Sequence, residues 1–351
     1  MLRILHAADL HLDSPFAALP PELALQRRKQ QRQLPELLAD LCREHTCDLM
    51  LLAGDVFDGA RVCPETVEAM QSAFGRCGVP VFISPGNHDP FTAASPWALH
   101  GWPDNVHIFS GAMEAVELPE LRCRVWGAGF REQEASDLLQ PISRKNDGFL
   151  EIGVFHGDPL YPGAYHAISA QTLQNCGLDY LALGHIHKTQ LPQQLGRTYY
   201  GWPGAPMGRG FDETGDRGVF CVALDRGICE TRFLPLPLPR YEILSVPAEA
   251  VDIPPRYLQT ICRLILTGEA DPVDKEALRE KLAEQFLSLE IVDQTVPKRD
   301  LWACCGDGTL RGLTLDAIKA QYDRADTPEQ QQIAALAARY VLAALEGRDG
   351  A

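Results

Sequence analysis

Short apolar runs that stop at glycine or at a ligand-type polar residue recur along the chain. Leu2-Arg3-Ile4-Leu5 leads to Asp9-Leu10-His11, and Leu49-Met50-Leu51-Leu52 leads to Gly54-Asp55. Val81-Phe82-Ile83 leads to Gly86-Asn87-His88-Asp89, Ile152-Gly153-Val154-Phe155 to His156, and Tyr180-Leu181-Ala182-Leu183 to Gly184-His185-Ile186-His187. Such runs predict strands buried on both faces of a sheet covered by helices. Loops beyond the carboxyl ends of such strands are where α/β sheets carry their sites. Between the first two runs, Leu34, Leu37, Leu38 and Leu41 recur at helical spacing, and Pro35 breaks or starts a helix there. A helix over 64–76 then completes strand–helix–strand units. Residues 106–109, 124–126, 198–200 and 218–224 predict further strands, and Arg226-Gly227 turns the chain into another at 229–234.

The Leu-Pro pairs of 234–239 exclude a central strand and mark a stiff boundary. Beyond them, a strand at 261–266, a helix with an acidic start at 274–286 and a strand at 288–292 predict a small α+β unit. A last helix begins at Pro328, with Thr327 as N-cap and Gln330 near the capping-box position. Ile333, Leu336, Ala337, Tyr340, Val341, Ala344 and Leu345 form one apolar stripe, which either packs on its own domain or docks a partner.

Composition changes this picture in three ways. At 351 residues, 46% hydrophobic and 23% charged, the chain has the makeup of a soluble globular protein with room for two domains. The apolar opening, residues 1–8, is too short for a membrane span and lacks a signal-peptide layout, so a cytoplasmic location is expected. Eleven irregularly spaced cysteines without a Cys-x-x-Cys, including the vicinal pair Cys304-Cys305, predict reduced and mostly buried thiols. The formal net charge is −15, with 28 acidic and 20 basic residues over 1–240 and 19 and 12 over 241–351. Neither half offers a broad basic surface for nucleic acid.

Asp9, His11, Asp55, Asn87, His156, His185 and His187 supply carboxylate, amide and imidazole donors, a set suited to divalent transition metals, and the absence of cysteine among them argues against structural zinc. Residues two apart in a strand face the same side, so Asp9 can point with His11 and His185 with His187. Seven ligands are too many for one ion and suit two if a carboxylate bridges them. Two metals roughly 3.5–4 Å apart clamp an in-line displacement at phosphorus. Two aspartates, a bridging hydroxide and two dications leave the site net positive, which attracts a phosphate ester. His88, near the metals but not bound to them, is the candidate proton donor to a leaving alkoxide, with Asp58 or Asp89 to orient its ring.

Together the Asp-x-His, Gly-Asp-x-x-Asp, Gly-Asn-His-Asp, lone His and Gly-His-x-His elements resemble the calcineurin-like metallophosphoesterases. The segments His6-Ala7-Ala8-Asp9-Leu10-His11-Leu12-Asp13, Gly54-Asp55-Val56-Phe57-Asp58, Leu178 to His187 and Tyr200-Gly201-Trp202-Pro203-Gly204 are similar to the SbcD-type DNA repair nucleases, nearest their YhaO-like branch. The resemblance covers about residues 1–240. It implies an α/β metallophosphoesterase fold, a two-sheet sandwich flanked by helices, over 1–240. A small α+β unit over 241–300 would cap the active site, and 301–351 would be a helical tail. It implies one metal on Asp9, His11, Asp55 and His187 and another on Asp55, Asn87, His156 and His185. Asp55 bridges them and His88 donates the proton. It also implies manganese as the metal, DNA as substrate, dimerisation and an SbcC-like coiled-coil ATPase as partner. By donor chemistry iron, cobalt, zinc or magnesium are alternatives for the two divalent ions, and no membrane is expected from the sequence.

Other residues admit two readings. Asp58 is either an orienting carboxylate or a helix cap. Arg27 and Arg28, in a basic run with Lys29 and Arg32, either contact phosphates or line a solvated helix face. Lys188 is a substrate-binding candidate beside His187. Trp202 either stacks on a base or packs in a loop. His6, His100, His107 and His166 are read as structural, and the glycine-rich 201–215 as a loop shaping the cleft. Two further functions compete with a DNA phosphodiesterase: a metallophosphatase or phosphodiesterase for a small molecule or phosphoprotein, and an adaptor for an ATPase.

Overall fold

The computed structural model describes residues 1–297 and 300–345. Its first strands are β1 (Leu2–Ala7), β2 (Leu49–Leu52), β3 (Val81–Ile83) and β4 (Val106–Ile108), linked by α1 (Pro21–Gln31), α2 (Leu34–Glu44), α3 (Pro64–Arg76) and α4 (Pro96–Leu99). A proline occupies the first or second position of each of these helices, where its missing N–H costs nothing. Pro35 therefore starts α2 rather than breaking a longer helix. Then follow β5 (Glu114–Leu118), β6 (Cys123–Gly127), β7 (Leu150–His156), α5 (Ala170–Asn175), β8 (Tyr180–Gly184), β9 (Gln190–Leu195), β10 (Thr198–Trp202), β11 (Gly218–Asp225) and β12 (Ile228–Pro235).

These strands form two six-stranded mixed sheets, ordered β12-β11-β1-β2-β3-β4 and β5-β6-β7-β8-β10-β9. The strands β1 to β4 are mutually parallel, as are β6, β7, β8 and β10, while β11 joins β1 antiparallel. Strand alternation sorts the side chains. Ile4, Leu49, Leu51, Phe82, Ile152, Val154, Tyr180, Phe220 and Val222 share one core drawn from both sheets. Leu5, Met50, Leu52 and Ile83 face the other way, onto Leu34, Leu38, Val67, Met70 and Phe74 of the helices. Residues Phe155, Leu181 and Leu183 turn to a third cluster with Leu173 and Trp202. The expected α/β sandwich with helical flanks is what the chain forms. Strand β12 lies at a sheet edge, where its closing Pro235 breaks no ladder, and Leu234 and Leu236 pack into the helical-side core.

The chain divides into two compact units. The first takes Met1–Ile243, Tyr257–Arg263 and Gln285–Ser288, and the second takes Leu244–Arg256, Leu264–Glu284 and the described residues from Leu289 on. Later elements are β13 (Tyr241–Pro247), β14 (Ile261–Thr267), β15 (Glu269–Ala270), α6 (Lys275–Leu282), β16 (Ser288–Asp293) and β17 (Val296–Pro297), with a three-stranded sheet β13-β14-β16. Asp274 caps α6 by accepting from the Glu276 and Ala277 backbone N–H groups.

The second unit ends in a pair of helices, α7 (Leu310–Asp323) and α8 (Pro328–Leu345). Thr327 Oγ1 accepts from Gln330 N at 3.3 Å, while Gln330 Oε1 accepts from Asp326 N at 3.0 Å. The terminal stripe does not pack as one of its two readings supposed. Ile333, Leu336 and Tyr340 are 63%, 51% and 54% exposed, and α8 instead buries Ala334, Ala338 and Leu342. Ala338 and Leu342 share a small core with Leu315, and small alanine side chains let α7 and α8 approach closely, so the large residues are left outside. Among the described residues no cysteines are bridged, and all eleven are buried or half-buried. No described helix is long and apolar enough to cross a membrane.

Candidate metal centre

All seven expected ligands lie just beyond, or at, the carboxyl ends of parallel strands. Asp9 and His11 follow β1, Asp55 follows β2, Asn87 follows β3, His156 closes β7, and His185 and His187 follow β8. Asp9 and His11 converge by a different route from strand alternation. Strand β1 stops at Ala7, and both residues adopt left-handed backbone, φ 53° and 45°, as do Asp55 at 49° and His185 at 99°. Non-glycine residues in that region store strain that surrounding bonds must hold, and such strain gathers at functional sites. Here Asp9 N donates to Gly54 O, His11 N to Asp55 O and Leu12 N to Val56 O, so two loops run side by side. Two glycines allow the approach. A Cβ on Gly54, itself at φ +84°, would collide with the His156 ring, and one on Gly86 would strike the Asp55 carboxylate.

The side chains form two adjoining donor clusters, Asp9 with His11 and His187, and Asp55 with His156 and His185. His11 Nδ1 donates to Asp58 Oδ1 at 3.0 Å, and His187 Nδ1 donates to Glu213 Oε1 at 2.7 Å. These carboxylates fix the tautomers and aim both Nε2 lone pairs inward, where they face each other at 3.1 Å. Asp9 Oδ1 accepts from His185 N at 2.9 Å, while its buried Oδ2 has no partner among the described residues. On the other side, His156 Nδ1 donates to Ala53 O at 2.9 Å and turns Nε2 toward Asn87 Oδ1 at 2.9 Å and Asp55 Oδ2 at 3.3 Å. His185 Nδ1 is 3.2 Å from the same amide oxygen. An orphaned carboxylate oxygen beside two imidazole nitrogens 3.1 Å apart is costly in a buried site unless a cation, a proton or a metal ion, sits among them, and the donor set fits divalent metal.

The electrostatics agree. Burial would raise the Asp55 carboxyl, yet the adjacent His156 imidazole overrides it and holds Asp55 well below the usual carboxylate range. Burial works against protonation of His156, and Asp55 outweighs it and lifts the imidazole to about 9. At His11 burial wins over Asp58 and lowers the pKa, whereas at His187 the Glu213 carboxylate outweighs burial and raises it. Burial and the Asp55 charge push Asp89 up to about 7.

The neighbours divide differently from expectation. His88 stands above the clusters, 44% exposed, with its ring centroid 4.9 Å from that of His11 and Nδ1 3.9 Å from Asp58 Oδ1. Asp58 is thus a shared carboxylate whose close partner is His11. Asp89 does not orient His88: it accepts from Val56 N, Phe57 N and Gly86 N at 2.9, 3.1 and 2.7 Å and ties two loops together. Arg27 is no phosphate contact, being fully buried with its Nη groups donating to Gly208 O and Pro239 O, both at 2.8 Å. Arg28 Nη1 donates to Pro15 O at 2.9 Å. Lys188 is exposed beside His187, and Trp202 is buried in packing. His6 and His166 are buried and hydrogen-bonded within the fold.

Glu213 and Arg209 carry no signal in the sequence, yet both belong to this centre. Arg209 Nη1 donates to Asp58 Oδ1 at 2.9 Å, and its backbone N donates to Glu213 Oε2 at 2.8 Å. Burial would raise Glu213, but the His187 hydrogen bond and the Arg209 charge bring it down to about 2. A metal-binding histidine commonly has a carboxylate on its other nitrogen, which directs attention to acidic loops. Nothing local distinguishes Glu213 from Asp212 or Asp216 in its loop.

Carboxylate, amide and imidazole donors in two adjoining clusters on a two-sheet α/β sandwich form an arrangement that fits divalent metal and suits chemistry at phosphoesters. Over residues 2–189 the sequence matches the calcineurin-like phosphoesterase family, and the chain belongs to that family. It is 35% identical over 247 residues to the "Uncharacterized metallophosphoesterase YhaO" of Bacillus subtilis (strain 168), covering 64% of this chain and 58% of that protein's length. It is 25% identical over 279 residues to a component of the nuclease SbcCD from Escherichia coli (strain K12), covering 66% and 67% of the two. To the "DNA double-strand break repair protein Mre11" of Methanopyrus kandleri it is 23% identical over 381 residues, covering 93% and 80%.

Proposed function

We propose that the chain is a two-metal phosphodiesterase that hydrolyses DNA, with manganese as its metal. The observation that carries the reading is the Asp55 carboxylate. Its Oδ2 lies 3.8 Å from His11 Nε2 and 3.3 Å from His156 Nε2, so one oxygen faces both donor clusters. Asp9, His11, Asp55 and His187 would hold one cation, and Asp55, Asn87, His156 and His185 the other. When bound, divalent cations supply Lewis acidity toward phosphoryl oxygens and make water acidic enough to attack near neutral pH. The chain's own residues do the rest. His88, half-exposed above the clusters, donates the proton to the leaving oxygen, a role worth about 10²–10⁴ in rate. Asp58 and Glu213 keep His11 and His187 in one tautomer, and exposed Lys188 steadies a phosphate. DNA is favoured as substrate by the similarity to proteins named as a DNA repair protein and as part of a nuclease.

With Mn²⁺, the purified chain is expected to release nucleotides from linear DNA, and Asp55→Ala and His88→Asn are each expected to lower that rate at least about 100-fold. If wild type releases none with any divalent metal, alone or with a coiled-coil ATPase, the DNA reading fails. Faster turnover of cyclic dinucleotides or phosphopeptides would transfer the activity to a small-molecule or phosphoprotein substrate.

The exposed Ile333, Leu336 and Tyr340 favour a second role alongside catalysis, docking of an SbcC-like coiled-coil ATPase. Deleting 328–351 is expected to abolish capture of that ATPase while DNA cleavage persists, and unchanged capture would exclude this role.

A further inference from the structure

The two donor clusters differ in what stands behind them. Behind His11 and His187 are two carboxylates, Asp58 and Glu213, at 3.0 and 2.7 Å. Behind His156 is a neutral backbone carbonyl, Ala53 O at 2.9 Å, while His185 Nδ1 faces its fellow candidate ligand, the Asn87 amide oxygen, at 3.2 Å. Arg209 joins the two carboxylates, with Nη1 2.9 Å from Asp58 Oδ1 and Nη2 3.5 Å from Glu213 Oε1. Its own backbone N–H holds the second Glu213 oxygen.

The segment that carries this pair is fastened from several sides. Arg217 Nη1 donates to His187 O at 2.6 Å and Arg217 Nε to Glu213 O at 3.2 Å. The buried Arg27 of α1 donates to Gly208 O and to Pro239 O. A Cβ on Gly204 would strike His187 O, so the loop also lies directly against the strand-end turn. Glu213 is therefore held by the fold independently of any contact with substrate.

We propose that Glu213 and Arg209 are positioning residues for one cation alone, the one on Asp9, His11 and His187, and that the two cation sites are consequently unequal. Carboxylates behind imidazoles raise ligand basicity and fix ring orientation, and removing such a partner costs about 10–100-fold in metal affinity. A carbonyl partner fixes orientation without adding charge. The anionic side holds its cation more tightly, and Arg209 keeps Asp58 and Glu213, two like charges, in register. This rests on the two-cation reading given above.

Direct titration of the chelator-stripped full-length protein with Mn²⁺, followed by calorimetry and by the electron paramagnetic resonance signal of free Mn²⁺, tests it without any substrate. Wild type is expected to show two classes of site. Glu213→Ala should weaken the tighter class by about 10–100-fold and leave the other unchanged. Glu213→Gln, which keeps an acceptor without the charge, should lose less, and it carries the test if the alanine variant does not fold. Arg209→Met retains the backbone N–H and should also lose less than Glu213→Ala. Two classes at wild-type affinity in folded Glu213→Ala, or equal weakening of both, would overturn the proposal while the two-cation reading survived. A wild type that binds no Mn²⁺ would overturn both.

Discussion

Lowering the pH from 7.5 to 5.0 is expected to cost the fold about 2 kcal/mol through His6 alone. This side chain sits on β1 with no exposure and links the two sheets. Its Nε2 donates to Leu183 O at 3.0 Å, and its Nδ1 accepts from the Tyr180 hydroxyl at 2.8 Å. The neutral ring is fully satisfied, and the fully buried site offers no carboxylate to balance a second proton's charge. Burial pushes the pKa down from 6.5 to about 3, and the Leu183 carbonyl recovers only a little. An unfolded chain binds this proton below about 6.5 while the folded chain refuses it until about 3. Stability is therefore complete above the unfolded value and drains away as pH falls between the two. At pH 5.0 the gap of roughly 1.5 units is worth about 2 kcal/mol. Urea melts at both pH values, run with chelator present so that metal release does not contribute, measure the loss. Other histidines titrate too, so the quantity that matters is wild type minus His6→Gln. That stability difference should be about 2 kcal/mol smaller at pH 5.0 than at pH 7.5. Equal acid losses in the two proteins would refute the assignment.

Three other perturbations follow from the same geometry. Gly54→Ala should lose about 2–4 kcal/mol, from a left-handed alanine and a displaced His156 hydrogen bond, and a near wild-type melt would contradict it. Arg27→Met strips the donors from Gly208 O and Pro239 O and should cost about 2–4 kcal/mol in thermal melts with the salt dependence of DNA binding unchanged. Unchanged stability with a salt slope smaller by about 1 would instead make Arg27 a phosphate contact. Mn²⁺ at about 100 times the dissociation constant of the tighter site should add about 2.7 kcal/mol to stability through that site alone, and no rise with any divalent cation would exclude a metal centre.

Much of the fold was legible because each cue was local. Leu49 and Met50 are adjacent in sequence and enter different cores, as a strand with two buried faces requires. The candidate ligands were legible for a related reason: they end apolar runs, where packing gives no cause for Asp, Asn or His. The way Asp9 and His11 converge was hidden, since left-handed backbone at non-glycine residues follows from hydrogen bonds to the distant Gly54 and Asp55 loop. The terminal helix misled for an opposite reason. Its largest apolar residues drew the eye to one stripe, while α8 buries Ala334, Ala338 and Leu342 and shares a core with Leu315 of α7 through the last two.

Arg27 and Glu213 show where local reading stops. A basic run near a phosphate-type site looks like a substrate contact, because charge is visible in sequence and burial is not. Arg27 is separated from Gly208 and Pro239 by 181 and 212 residues, so no window along the chain contains its partners. Glu213 lies 26 residues from His187 in a segment without periodicity, and only its hydrogen bond to Nδ1 separates it from the acidic residues around it. The two are nonetheless one structural fact. Arg27 holds the backbone at Gly208, the next residue is Arg209, and Arg209 and Glu213 stand behind the inward-facing imidazoles. A residue read as either a phosphate contact or part of a solvated helix face, and in fact buried, thus bears on the candidate metal centre through the loop that it fastens. Consequently a stability defect in Arg27→Met should be accompanied by weaker metal binding on the His11 and His187 side, and one without the other would separate the loop from the centre.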